Sequence, residues 1–124
     1  MVNTTIAEKT IRTYGKAWTT QDSDLILTIF AKGAVYQERS FGKPYIGHDS
    51  IKEYWENKVC REQKDIKFKL LNCYIAGNIV VAEYDVRFFN NKKQLPVHIK
   101  EVGIFEFSGN KVRSLREYWH VKKA

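Results

Sequence analysis

Ile79-Val80-Val81-Ala82-Glu83-Tyr84-Asp85-Val86-Arg87-Phe88-Phe89 is the stretch that decides the fold. Val80, Ala82, Tyr84, Val86 and Phe88 alternate with Glu83, Asp85 and Arg87, the two-residue period of a strand with one face on a core. Three more segments alternate in the same way: Ile66–Ala76, Val97–Phe107 and Lys111–Lys122. Gly77-Asn78, Asn90–Pro96 and Ser108–Asn110 divide them, so the back half reads as an antiparallel meander of long strands. Upstream the period lengthens. Thr5 and Glu8 form a capping box, and Ala7, Ile11, Tyr14 and Trp18 make one stripe of a helix running to about Thr20. Asp22 caps a shorter helix with Ile26, Ile29 and Phe30 toward the core. A short strand, Ala34–Arg39, puts Ala34, Tyr36 and Glu38 on one face. After the Gly42…Pro44…Gly47 loop, Ser50 and Glu53 box in a third helix carrying Ile51, Tyr54, Trp55 and Val59. Helices followed by a meander predict an α+β fold, in one domain spanning residues 1–124.

Length and composition agree. The chain has 124 residues, 44% of them hydrophobic, with 7 Phe, 7 Tyr and 3 Trp, which supports one core and excludes a disordered or fibrous chain. It has no apolar run long enough for a membrane helix and no secretory signal pattern, and Cys60 and Cys73 match neither a disulfide framework nor a metal motif. These readings predict a cytoplasmic protein, with both thiols as packing residues. Most of the net charge of +7 comes from the second half, where residues 51–124 hold fifteen basic and nine acidic side chains. The basic residues alternate with apolar ones and sit beside acids, so a solvated surface is expected and a nucleic-acid partner is not.

The order of these signals resembles the nuclear transport factor 2-like superfamily, in its SnoaL-like and ketosteroid isomerase-like branch. The resemblance covers about residues 5–121. It is carried by Asp22-Ser23-Asp24, Phe30-Ala31…Ala34-Val35-Tyr36, Pro44…Gly47, Ile51…Tyr54-Trp55 and Leu115-Arg116-Glu117-Tyr118-Trp119. It implies a cone: a strongly curved, mainly antiparallel sheet wrapped on three N-terminal helices, with an internal pocket. That fold hosts isomerases, dehydratases, epoxide hydrolases, polyketide cyclases and non-enzymatic modules, so its function must be argued from the site.

Apolarity leaves the facing of the last two strands open. The resemblance implies that the sets holding Glu101 and Glu117 point inward. A hairpin turning about Gly109 then pairs Glu101 with Glu117 on the inside and His98 with His120 on the outside. Two carboxyls in an apolar cone do not both ionise easily, and a neutral one can donate a hydrogen bond. The candidate catalytic residues are Tyr14, Glu38, Glu101 and Glu117. The candidate ligand-binding residues are Trp18, Phe30, Tyr84, Val86, Phe105 and Trp119. In ketosteroid isomerases a first-helix tyrosine bonds the oxyanion and an acid 24 residues later moves the proton; the resemblance gives those places to Tyr14 and Glu38. Gly103 stands where that family has its second oxyanion donor. Of the limonene epoxide hydrolase set only Glu117 matches, Tyr84 and Val86 replacing the rest, so that mechanism is not expected.

The bland alternatives are a core tyrosine at Tyr14, a Glu38 bridge to Arg39 or Lys43, and pairing of the inner acids with Arg113 or Lys16. The leading expectation is a small-molecule pocket protein with cofactor-free acid–base chemistry on an apolar substrate, as an isomerase, cyclase or dehydratase. The alternative is a non-catalytic ligand-binding or dimerisation module. Neither a metal nor a cofactor is expected, since two histidines without a third ligand make no metal site. A homodimer is expected through the outer sheet face. Leu71, Cys73, Ile75, Ile79, Val81, Phe89, Val102, Ile104 and Tyr118 are taken to point outward there, with His98 and His120 in or near the interface.

Overall fold

The computed structural model describes residues 2–122 of the expected 1–124 domain. Helix α1 (Thr4–Thr19) buries Ala7, Ile11, Tyr14 and Trp18, the stripe read from the sequence, and with them Thr10, Gly15 and Ala17. Its cap is Asn3, whose side chain accepts from Ile6 N at 2.8 Å; Thr5 and Glu8 lie inside the helix, so no Thr5–Glu8 box forms. Helix α2 (Ser23–Leu27) is capped by Asp22 as expected. Helix α3 (His48–Tyr54) also starts ahead of its predicted box. Gly47 holds the N-cap at φ +85°, a conformation costly for other residues, and Ser50 falls inside the helix. A π-helical continuation, Trp55–Cys60, follows and keeps both Trp55 and Val59 buried.

The sheet has strands β1 (Phe30–Gln37), β2 (Tyr45–Ile46), β3 (Gln63–Ala76), β4 (Ile79–Asn90), β5 (Leu95–Ser108) and β6 (Lys111–Val121). Their spatial order is β2-β1-β6-β5-β4-β3, with β1 parallel to β6 and every other pair antiparallel. This curled sheet wraps on the helices. Helix α1 lies close against β3: a Cβ on Gly15 would stand 2.6 Å from Phe68 Cδ1. In β4 the facing is as the alternation predicts, with Val80, Ala82, Tyr84 and Val86 fully buried.

Two bulges correct the sequence reading elsewhere. The β5–β6 hairpin closes through Ser108↔Lys111, and an irregularity between Glu106 and Phe107 leaves Arg113 without a cross-strand partner. Beyond it Glu101 lies opposite Trp119 and Gly103 opposite Glu117, so the two acids share a face but are diagonal neighbours. His120 pairs with Lys100 rather than His98, whose ring sits on Asp85 Oδ1 at 2.8 Å. Arg113 is turned to solvent with its guanidinium 3.8 Å from Glu106, so it does not neutralise the inner acids. In β3 a register shift between Leu70 and Asn72 flips the faces. Cys73 and Ile75 consequently stand opposite the inward Ala82 and Val80, and Tyr74 opposite the outward Val81. Ile79, Val81, Phe89, Val102, Ile104 and Tyr118 stay on the outer face, Tyr74 joins them, Cys73 and Ile75 leave it for the inner face, and Leu71 falls in the bulge without a cross-strand partner. Among the described residues no helix is long and apolar enough to cross a membrane.

Candidate functional site

Inside the cone, Glu117 of β6 is the hub. The bulge that re-registers β6 turns its side chain inward, where it is 4% exposed. Three phenols donate to it: Tyr14 and Tyr84 to Oε2, the latter at 3.0 Å, and Tyr36 to Oε1 at 2.6 Å. They arrive from α1, β4 and β1, so one carboxylate ties together three separate elements. Glu101 of β5 is equally buried, and its Oε2 has no hydrogen-bond partner. No salt bridge reaches either acid among the described residues, and Lys16 is solvent-exposed.

The electrostatics follow from that geometry. Burial, and then the neighbouring Glu117 charge, hold the Glu101 carboxyl well above its usual range. Burial raises Glu117 as well, but the donors around it pull back. The pair titrates as a unit, with the charge centred on Glu117 and the proton on Glu101. Burial holds all three phenols well above their usual range, so they stay protonated donors.

The remaining sequence candidates divide. Tyr14, Tyr84, Glu101 and Glu117 are brought together. Trp18, Phe30, Val86 and Phe105 are buried core: Trp18 packs edge-on to Tyr14 at 5.8 Å and bonds Gln63 through its indole, and Phe105 packs on Tyr14 at 5.6 Å. Trp119 is inward by register, yet 40% exposed at the end of the sheet, where its indole donates to the Glu38 carbonyl at 2.9 Å. Glu38 sits just past β1, its carboxylate 3.2 Å from Arg39 Nε, the pairing weighed as one alternative. Burial pushes its carboxyl up despite Arg39. Gly103 has no room for the second acid of the ketosteroid isomerases, since a Cβ would meet Phe105 at 2.7 Å and the Tyr84 hydroxyl at 2.8 Å.

The open volume lies at the mouth. A cleft of about 470 Å³ is lined by Arg39, Ser40, Phe41, Gly42, Glu117, Tyr118 and Trp119. A second, of about 280 Å³, is lined by Glu83, Lys100, Glu101, Val102, Tyr118, Trp119 and His120, most of them on the outer face of the sheet. Sequence reasoning missed Tyr36 as a site residue, although the β1 alternation already placed it on the face shared with Glu38. It also missed Phe41, because a loop residue shows no period. Among the described residues no group of three His, Cys, Asp or Glu side chains could hold a metal ion.

The profile of the SnoaL-like domain matches residues 11–115. The chain belongs to the SnoaL-like domain family. Among curated proteins none matches it significantly. Solved structures share the fold of this SnoaL-like chain at low identity. A candidate isomerase from Bacillus subtilis is 17% identical with a TM-score of 0.83, covering 97% of this chain and 90% of its own. A candidate SnoaL-like polyketide cyclase from Shewanella putrefaciens CN-32 is 17% identical with a TM-score of 0.77, covering 91% and 88%. The epoxide hydrolase/cyclase-like enzyme SalBIII, of pyran ring formation in the polyether salinomycin, is 18% identical with a TM-score of 0.79, covering 92% and 90%.

Proposed function

We propose that this SnoaL-like protein is a cofactor-free acid–base enzyme that moves a proton on a small carbonyl compound held in the mouth cleft. One observation carries the reading. Glu101 and Glu117 are buried together with no cation paired to them among the described residues, an arrangement costly for stability, and Glu117 lines the cleft. Glu38 adjoins the cleft through its neighbour Arg39 and through Trp119, which bonds its carbonyl. Burial makes its carboxylate a stronger base, and it takes the proton from the carbon beside the carbonyl, breaking that C–H bond and leaving an enolate. As the substrate docks, the single proton of the pair passes from Glu101 to Glu117, whose neutral carboxyl hydrogen-bonds the developing oxyanion while the charge rests on Glu101. Tyr14, Tyr36 and Tyr84 act through Glu117 by fixing its carboxyl at the cleft. Glu38 then returns the proton to the same or a conjugated carbon, which gives isomerisation or the first step of a cyclisation.

The test is deuterium uptake from D2O beside the carbonyl of 1-tetralone and 6-carboxy-1-tetralone, followed by proton NMR. Wild type should exceed the buffer rate with at least one of them, and Glu38→Gln and Glu117→Leu should fall to it. Wild-type exchange at the buffer rate with both ketones refutes the reading.

The outer face supports a homodimer in the same proposal. Val81 and Ile104 are opposed there, Val102 and Tyr118 are opposed beside them, and Tyr74 extends the apolar patch. Sedimentation at neutral pH should show a dimer that Ile104→Lys splits; a wild-type monomer at tens of micromolar removes it.

A further inference from the structure

Phe41 is fully exposed although nothing about its loop is frayed. Gly42 N bonds the Arg39 carbonyl at 3.0 Å, and Gln37 Nε2 holds the Gly42 carbonyl at 2.6 Å, so the turn that presents Phe41 is pinned at both ends. Phe41 and Trp119 both line the mouth cleft, one from the β1 loop and one from the end of β6. Trp119 is held by its bond to the Glu38 carbonyl. Large aromatic side chains fixed in the open around a cleft are binding surface, since burial would otherwise stabilise them. The one cation lining the cleft is Arg39, which uses Nε toward Glu38 and makes no other salt bridge among the described residues, leaving its terminal nitrogens for a ligand.

We propose that the mouth cleft takes a planar organic anion, an aromatic or conjugated carboxylate of one or two rings, lying against Phe41 and Trp119 with its carboxylate on the terminal nitrogens of Arg39. The ring system is matched by the flat side chains and a volume of about 470 Å³. The carboxylate is matched by the forked donor. The far end of the ligand points down the cleft to Glu117, where the proton-transfer reading places the reacting carbonyl; this orientation alone rests on that reading. Arg39 has a second part in it. Burial raises Glu38, Arg39 is the foremost group lowering it, Glu117 pushes it up and Lys58 pulls it down. A carboxylate that takes up the Arg39 charge removes the larger of the two pulls, so the ligand's arrival makes Glu38 a stronger base.

The test compares 2-naphthoate with its neutral isostere 2-naphthamide on the whole chain, following the Trp119 indole proton by NMR. Wild type should bind the naphthoate about tenfold more tightly, the worth of one charge-assisted hydrogen bond. Arg39→Gln should erase that preference while amide binding stays, and Phe41→Ala should weaken both ligands. Saturation with naphthoate should raise the Glu38 midpoint in a carbon-13 carboxyl titration. Equal affinity for the two ligands, a preference that survives Arg39→Gln, or no binding of either at millimolar concentration overturns the proposal. Binding needs no turnover, so the two readings fail separately. Naphthoate bound through Arg39 without tetralone exchange sinks proton transfer alone, and exchange without the Arg39 preference sinks the ligand class alone.

Discussion

Glu101→Gln should stabilise the protein at pH 8 by roughly 1–4 kcal/mol and change little near pH 4.5. A buried carboxylate that no cation compensates carries a desolvation cost of several kcal/mol, and a neutral isostere removes it. The sign follows from the direction of the shift. Burial and the Glu117 charge raise the Glu101 carboxyl in the folded state above its unfolded value of about 4.3. The folded protein therefore holds that proton more tightly than the unfolded chain. The stability it contributes is complete below about pH 4.3 and is lost as pH rises toward the folded midpoint. Glutamine does not titrate, so the gap between variant and wild type opens with pH. Asp85, lowered by His98, and Glu106, lowered by Arg116, give both proteins the same acid limb, which cancels in the difference. Thermal melts of both proteins from pH 4.5 to 8 measure it. A variant less stable than wild type at pH 8, or a gap that stays constant, would show that Glu101 is compensated.

Tyr36→Phe should have the opposite pH signature. It deletes one hydroxyl and leaves Glu117 Oε1 without its 2.6 Å donor. A hydrogen bond to a buried charge is worth about 1.5–3 kcal/mol, so a loss of that size is expected at pH 8, where Glu117 is the charged member. Near pH 4.5 the pair is protonated, the bond is neutral to neutral, and the loss should shrink to about 1 kcal/mol. The same pH dependence follows from linkage: the Tyr36 bond is among the contacts lowering the Glu117 carboxyl, so its removal raises that group and the loss grows with rising pH. Urea denaturation at the two pH values decides between this and a hydroxyl that only packs, which would give one pH-independent loss. Glu101→Gln closes its gap toward acid from above and Tyr36→Phe from below, and together they locate the charge on Glu117.

The alternation of Val80, Ala82, Tyr84 and Val86 with Glu83, Asp85 and Arg87 was sufficient to orient β4, because one strand face must leave water and only one set can. The stripe from Ala7 to Trp18 placed Tyr14 on the buried face of α1 for the same reason. Local polarity thus determined the α+β class, the strand count of the meander and the inward place of Tyr14 and Tyr84. Register was another matter. The skipped Arg113 decided that Glu101 faces Trp119, and the shift after Leu70 turned Cys73 and Ile75 inward. A bulge is an extra residue with no compositional mark; it forms where sheet curvature demands it, and curvature belongs to the assembled sheet. The convergence of Tyr14, Tyr36 and Tyr84 on Glu117 likewise joins residues far apart in the chain. Polarity, which acts on each residue where it stands, is written in the sequence; which hydroxyl meets which carboxylate was decided only when α1, β1, β4 and β6 were packed around one point.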